Sequence, residues 1–179
     1  VIPRLEKDVK DLGALIADHP AWEASGKRFT VAGDHPRCDR PERSEALLTR
    51  VAAVYHELKG KGFQQSMPIA EFPNGVTARL SREFAFDKVH VWLDCPGKPA
   101  FVLDPTQIFT PAERRSATAS GIATRLENLY AGLPQTRAEI DSDIDNYRRE
   151  VAVNAPRIDA PFTRAEELQT KQVRLRQIR

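Results

Sequence analysis

The side chains best suited to bind a metal are His35, Cys38, His90 and Cys95. Two histidines and two cysteines can hold zinc in a tetrahedral site. The separation is against it. His35-x-x-Cys38 and His90-x-x-x-x-Cys95 lie some fifty residues apart, and the second spacing departs from the usual short ligand repeats. The plainer reading is a loop His35, a half-buried Cys38, an outward His90 and an isolated Cys95. Whether the four meet in space is left to the fold.

A second constellation is basic. Eight basic and five acidic residues fall between Lys27 and Lys61, and Arg37, Arg40, Arg43 and Arg50 gather around the expected start of a helix. Such a patch could touch a few phosphates, giving weak, salt-sensitive DNA binding, because each contact releases condensed counterions. The alternative is a mixed-charge soluble surface. Trp92 shares a strand face with His90, near Arg79 and Lys88, and could stack on a base if that face is open. Core or edge packing is the commoner use of both Trp92 and Trp22. His56 reads as structural.

Other chemistry is not encoded locally. There is no Gly-x-x-x-x-Gly-Lys-[Ser/Thr] loop, no Gly-x-Gly-x-x-Gly, no Gly-x-Ser-x-Gly and no His-Glu-x-x-His. Asp141, Asp143, Asp145 and Glu150 lie along one helix, and the alternate spacing of the first three spreads them around it instead of converging them on an ion. No catalytic residue, cofactor or metal is expected.

The elements that must position these residues follow from periodicity. Leu5, Val9, Leu12 and Ile16 repeat at four, three and four, the spacing of a coiled-coil seam, and His19-Pro20 is expected to stop that helix. Strands are expected at 27–31, 67–72, 76–81, 89–93 and 100–103, with Pro73-Asn74-Gly75 as a hairpin turn. Asp39, Pro41 and Glu42 suggest a capped helix start, and the helix runs through Leu47, Leu48, Val51, Val54, Tyr55 and Leu58.

Ile122, Leu126, Leu129 and Leu133 then repeat at four, three and four, and Ile140, Ile144, Tyr147 and Val151 resume the seam after a break near Pro134. Pro156 and Pro161 suggest a turn over 154–162, and Thr163 with Glu166 suggests a capping box for a last helix. Residues 135–150 carry three basic and five acidic side chains, and 163–179 carry five basic and two acidic, which favours a helical hairpin.

The expected fold is therefore α+β. A small antiparallel sheet with one packed helix, 20–110, is inserted at the tip of an antiparallel coiled-coil stalk. The stalk comprises 1–19 and 111–179, and Leu126 and Leu129 are expected to face Leu5, Val9, Leu12 or Ile16. Composition agrees with such a fold: 179 residues, 41% hydrophobic, 29% charged and a net charge of +2. That balance excludes a nucleic-acid sponge and a polybasic membrane anchor, and no run approaches a membrane span. Two cysteines exclude a disulfide scaffold and suit a reducing, cytoplasmic setting. The chain reads as a piece of something larger.

Several pieces carry a family resemblance: Arg28-Phe29-Thr30-Val31-Ala32-Gly33, Arg40-Pro41-Glu42-Arg43-Ser44-Glu45-Ala46-Leu47-Leu48, Arg125-Leu126-Glu127-Asn128-Leu129, and Pro161-Phe162-Thr163-Arg164-Ala165-Glu166-Glu167-Leu168. Their order resembles the region that follows the helicase motor in very large plasmid and phage proteins. Those proteins join an adenine-specific DNA methyltransferase-like module to a Swi/Snf-type helicase, and phage antirestriction proteins are among them. This chain has Ala32-Gly33-Asp34 where that family favours a double glycine, and Asp159-Ala160 before Pro161. The resemblance implies an accessory, helicase-associated coiled-coil arm of a DNA-processing parent, and it carries no catalytic residue onto this segment. Its partners would be the rest of that polypeptide and, weakly, DNA. The alternative is a stand-alone adaptor that binds a protein partner, and an enzyme with a site assembled from scattered residues ranks third.

Overall fold

The computed structural model describes residues 1–34, 39–59, 65–83, 88–109, 111–158, 169 and 171–174. Along the chain run α1 (Ile2–Ile16), α2 (His19–Ala24), β1 (Thr30–Val31), α3 (Arg40–Glu57), β2 (Ser66–Glu71), β3 (Thr77–Glu83), β4 (Lys88–Leu93), β5 (Ala100–Leu103), α4 (Pro105–Ile108), α5 (Ala112–Ala131) and α6 (Leu133–Ile158). A single 3-10 turn, Pro73–Gly75, joins β2 to β3.

The fold is α+β. Five strands pair antiparallel in the order β1-β2-β3-β4-β5, a meander in which each strand lies beside its sequence neighbour. The β2–β3 turn works because Asn74 and Gly75 both take positive φ, 65° and 73°, a conformation those two residue types adopt at little steric expense. Alternation then assigns the faces. Ala78, Leu80, Val89, Val91, Leu93 and Leu103 are fully buried, and they place one face of the sheet on the core. Arg79, Ser81, His90 and Trp92 stand half-buried on the other face, with Val102 exposed. One covered face and one wetted face is the usual state of an antiparallel sheet.

Helix α3 lies on the core face against β1, β2 and β3, and α5 packs along α3 and reaches β4. Buried between sheet and α5, α3 must be apolar over much of its circumference. Leu47, Leu48, Val51, Val54, Tyr55 and Leu58 satisfy that need, and Arg43 and Ser44 are buried beside them. Two long helices thus contact the sheet where sequence periodicity suggested one.

Helices α1 and α6 form a second packed pair. Arg148 Nη2 donates to Glu6 Oε1 at 2.7 Å near one end. Toward the other end, the Arg137 guanidinium lies 3.5 Å from where a Cβ on Gly13 would stand. Residue 6 beside 148 and residue 13 beside 137 make the pair antiparallel. Leu12, Leu133 and Ile144 are buried, and Ile16 and Ile140 pack on the core.

Four expectations are corrected. The helix packed along α1 is α6, whereas Leu126 and Leu129 belong to α5, whose long partner is α3. A four-three-four repeat identifies an apolar face but not what it faces. His19-Pro20 does end α1, but it also opens α2, because proline is well tolerated in a first helical turn. Asp39 sits at the N-cap of α3 without a side-chain capping bond, and the capping box is instead made by Asp104 and Gln107 at α4. Finally, α6 runs on through Pro156 to Ile158, although the proline supplies no N–H for a bond to the carbonyl of residue 152. The expected turn residues 159–162 and the capping pair Thr163–Glu166 lie outside the described residues.

Candidate functional site

The arginines expected to contact DNA are used to hold the protein together. At the start of α3, Arg40 reaches across to α5. Its Nε and Nη2 donate to the Glu127 carboxylate at 3.3 and 3.0 Å, Nη2 donates to Thr124 Oγ1 at 2.8 Å, and Nη1 donates to Ser120 Oγ at 3.3 Å. Arg43, one turn on, is 2% exposed, with its guanidinium 5.1 Å from the centre of the Phe29 ring. Burial pulls Arg43 below its ordinary value, and the nearby Glu127 acts against that. Arg50 donates through Nε and Nη2 to the Pro68 carbonyl at 3.2 and 3.1 Å, tying α3 to β2, and approaches Glu57 at 3.7 Å. Arg37 lies outside the described residues. The helical spacing that gathers the three described arginines also turns them toward α5, Phe29 and β2.

The four metal candidates cannot be compared as a set, because His35 and Cys38 lie outside the described residues. His90 Nε2 is 2.9 Å from Glu83 Oε2 on the neighbouring strand. Cys95 is buried as a free thiol, and burial, with Asp94 adding to it, pushes it up to about 11, which leaves it protonated and unreactive at neutral pH. Among the described residues no three His, Cys, Asp or Glu side chains stand close enough to share an ion. Trp92 stands on the wetted sheet face, where Arg79 is its cross-strand neighbour. The Arg79 guanidinium is engaged with Ser66 Oγ at 3.0 Å and the Ser66 carbonyl at 3.1 Å, and comes within 3.9 Å of Asp94.

A different pair of cations lines a groove. Arg114 and Arg125 line a groove of about 540 Å3 between α4 and the first half of α5, with Thr106, Gln107, Thr118 and Gly121. Both arginines are exposed, and neither has an ion-pair or side-chain hydrogen-bond partner among the described residues. They share a helix face, because 114, 118, 121 and 125 follow the i, i+4, i+7, i+11 repeat. A Cβ on Gly121 would meet nothing within 4 Å, so the space between the two cations is open. The signal was present in the sequence as Arg-x-x-x-Thr-x-x-Gly-x-x-x-Arg, but the apolar repeat from Ile122 to Leu133 drew that helix toward a stalk seam.

Another unusual group sits where α2 meets α5. His19 is 7% exposed, its ring centre 4.6 Å from that of Tyr130 and 5.8 Å from that of Trp22, and its Nε2 has no hydrogen-bond partner among the described residues. Burial pushes this imidazole below its ordinary value of 6.5, with the Glu23 carboxylate partly opposing. The fold therefore prefers neutral His19. The unfolded chain takes up a proton first as pH falls, so stability should drop as pH descends through about 6.5 and level out below the lowered folded value. Thermal midpoints measured from pH 8 to 5 should show this slope, and His19→Phe should flatten it. An equal slope in the variant would assign the effect to other histidines.

Comparison with family models, with curated proteins and with solved structures returned no match.

Proposed function

We propose that this chain is a non-catalytic accessory module of a larger cytoplasmic DNA-processing protein of a mobile element, a helicase with a methyltransferase-like part. In this reading the α+β unit is a head, and the antiparallel α1–α6 pair is a stalk that sets its distance and orientation from the motor. The observation that carries the reading is that pair. Two helices from opposite ends of the described chain lie side by side, linked by Glu6 and Arg148, and both root in the core through Leu12 and Leu133. A rigid two-helix mount suits a spacing element. The family resemblance of the four quoted pieces supplies the parent.

The test is the activity of the purified chain. It should neither hydrolyse ATP nor bind it tightly, because its sequence has none of the glycine-rich backbone cradles that hold nucleotide phosphates. ATPase activity that survives rigorous purification, and that a single substitution in this chain abolishes, would overturn the assignment.

A second reading is an adaptor that grips a protein partner through the sheet. The wetted face supports it, since Trp92 and the 47%-exposed Val102 stand there beside Arg79 and His90. Loss of a co-purifying protein on Trp92→Ser, in a chain that keeps its thermal midpoint, would favour this reading over the first.

A further inference from the structure

We propose that the α4–α5 groove is a phosphate-tracking site for a nucleic-acid strand, with Arg114 and Arg125 as its two anchoring cations. This goes beyond the accessory reading, whose expected weak DNA contact lay on Arg37, Arg40, Arg43 and Arg50, and it does not rest on it.

The reasoning begins with where the cations of the head are spent. Arg40, Arg50, Arg79 and Arg115 all donate to groups inside the protein, Arg115 to Glu45 at 3.0 Å. Arg43 is buried. Arg114 and Arg125 stand apart from these: exposed, on one helix face, and with no carboxylate against them among the described residues. Asp104, the N-cap residue of α4, is occupied at that cap, where Oδ1 accepts from the backbone N–H and the hydroxyl of Thr106. Guanidinium groups offer planar forks of N–H donors that match phosphate oxygens.

Spacing chooses among anions. Eleven residues of α-helix place the two Cα atoms about 16 Å apart. A single phosphate would need both long side chains to bend toward it to bridge that distance. A chain of phosphates meets both without that, lying along α5 past Gly121, where an added Cβ would meet nothing within 4 Å. Thr118, one turn from Arg114 on the same face, also lines the groove. No base-reading element lines the groove, so the contact is to backbone and independent of sequence.

The experiment is a fluorescence-anisotropy titration of the full chain with labelled single-stranded and duplex oligonucleotides, from about 50 to about 200 mM salt. Each duplex phosphate contact contributes about −0.9 to the slope of log affinity against log salt. Two contacts therefore predict an affinity loss on the order of tenfold over that fourfold rise. The Arg114→Ala/Arg125→Ala double variant should lose most of this dependence and bind about tenfold more weakly at the low end. Arg4→Ala/Lys7→Ala, which removes two exposed cations of α1, should behave as wild type. Because both changed arginines are exposed and none of the described ion pairs includes them, the double variant should keep its thermal midpoint, so lost binding cannot be ascribed to unfolding.

Several outcomes would overturn the site: binding that the double variant retains, the same loss in the α1 control, or displacement by a polyglutamate peptide as effective as by unlabelled oligonucleotide. The last would identify an acidic protein surface as the ligand. Absence of binding at low salt would also overturn it, and would leave the accessory reading standing, since that reading is decided by the ATP assay.

Discussion

Replacing Glu127 by alanine should destabilise the protein by about 3–5 kcal/mol, more than its single ion pair with Arg40 suggests. Arg40 is 43% exposed on its side chain, and solvent can take over its charge, so that pair alone contributes modestly. The larger loss comes from Arg43. Its guanidinium is buried, desolvation works against its charge, and Glu127 is the largest influence favouring it. With Glu127 gone, a buried cation loses that compensation, and the α3–α5 contact loses its principal link. Glu127→Gln should recover part of the loss, because the amide oxygen can still accept from Arg40, but it cannot restore the charge. Urea unfolding of the two variants decides the matter. A change below about 1 kcal/mol in Glu127→Ala would show that Arg43 is compensated elsewhere.

Tyr130→Ala should cost about as much, roughly 3–5 kcal/mol, for a different reason. Tyr130 is fully buried near the end of α5 and ties that helix to α2 and to the β2–β3 turn through one ring. It stacks on Phe72 at 4.4 Å between centroids and 6° between planes, meets Trp22 edge-on at 4.7 Å, and lies 4.6 Å from His19. Its hydroxyl donates a long hydrogen bond to the Pro73 carbonyl at 3.4 Å. Phe72 extends the cluster to Phe29 at 5.7 Å. The cavity left by alanine would open between α2, α5 and the β2–β3 turn, where the α1–α6 pair joins the head. Tyr130→Phe should be nearly neutral, because the hydroxyl bond is long and the ring carries the packing. If the two variants lose equal stability, the hydroxyl and not the ring is decisive.

These two positions also separate what local sequence can say from what it cannot. The apolar repeat from Ile122 to Leu133 identifies Leu126 as inward and gives no warning that Glu127, beside it, is buried too. A charged residue in a helical repeat reads as solvated, and its burial is set by the arginines that α3 brings across, some eighty residues away in sequence. The inward engagement of the arginine cluster was hidden for the same reason. Spacing put Arg40, Arg43 and Arg50 together on one helix, but charge alone does not say whether that face meets solvent or carboxylates.

The sequence by itself determined the features that depend on near neighbours. Antiparallel strands with alternating faces, the Asn74-Gly75 turn, the break before Pro134 and the apolar faces of α1, α3, α5 and α6 all follow from backbone preferences and from periods of two and 3.6. The tertiary structure alone decided the pairings: α1 with α6, α5 with α3, Arg40 with Glu127, and Arg114 and Arg125 with no partner among the described residues. Periodicity fixes which side of an element seeks cover. Which surface covers it depends on how the volumes of distant elements fill one core, and a repeat along a single helix carries no record of that.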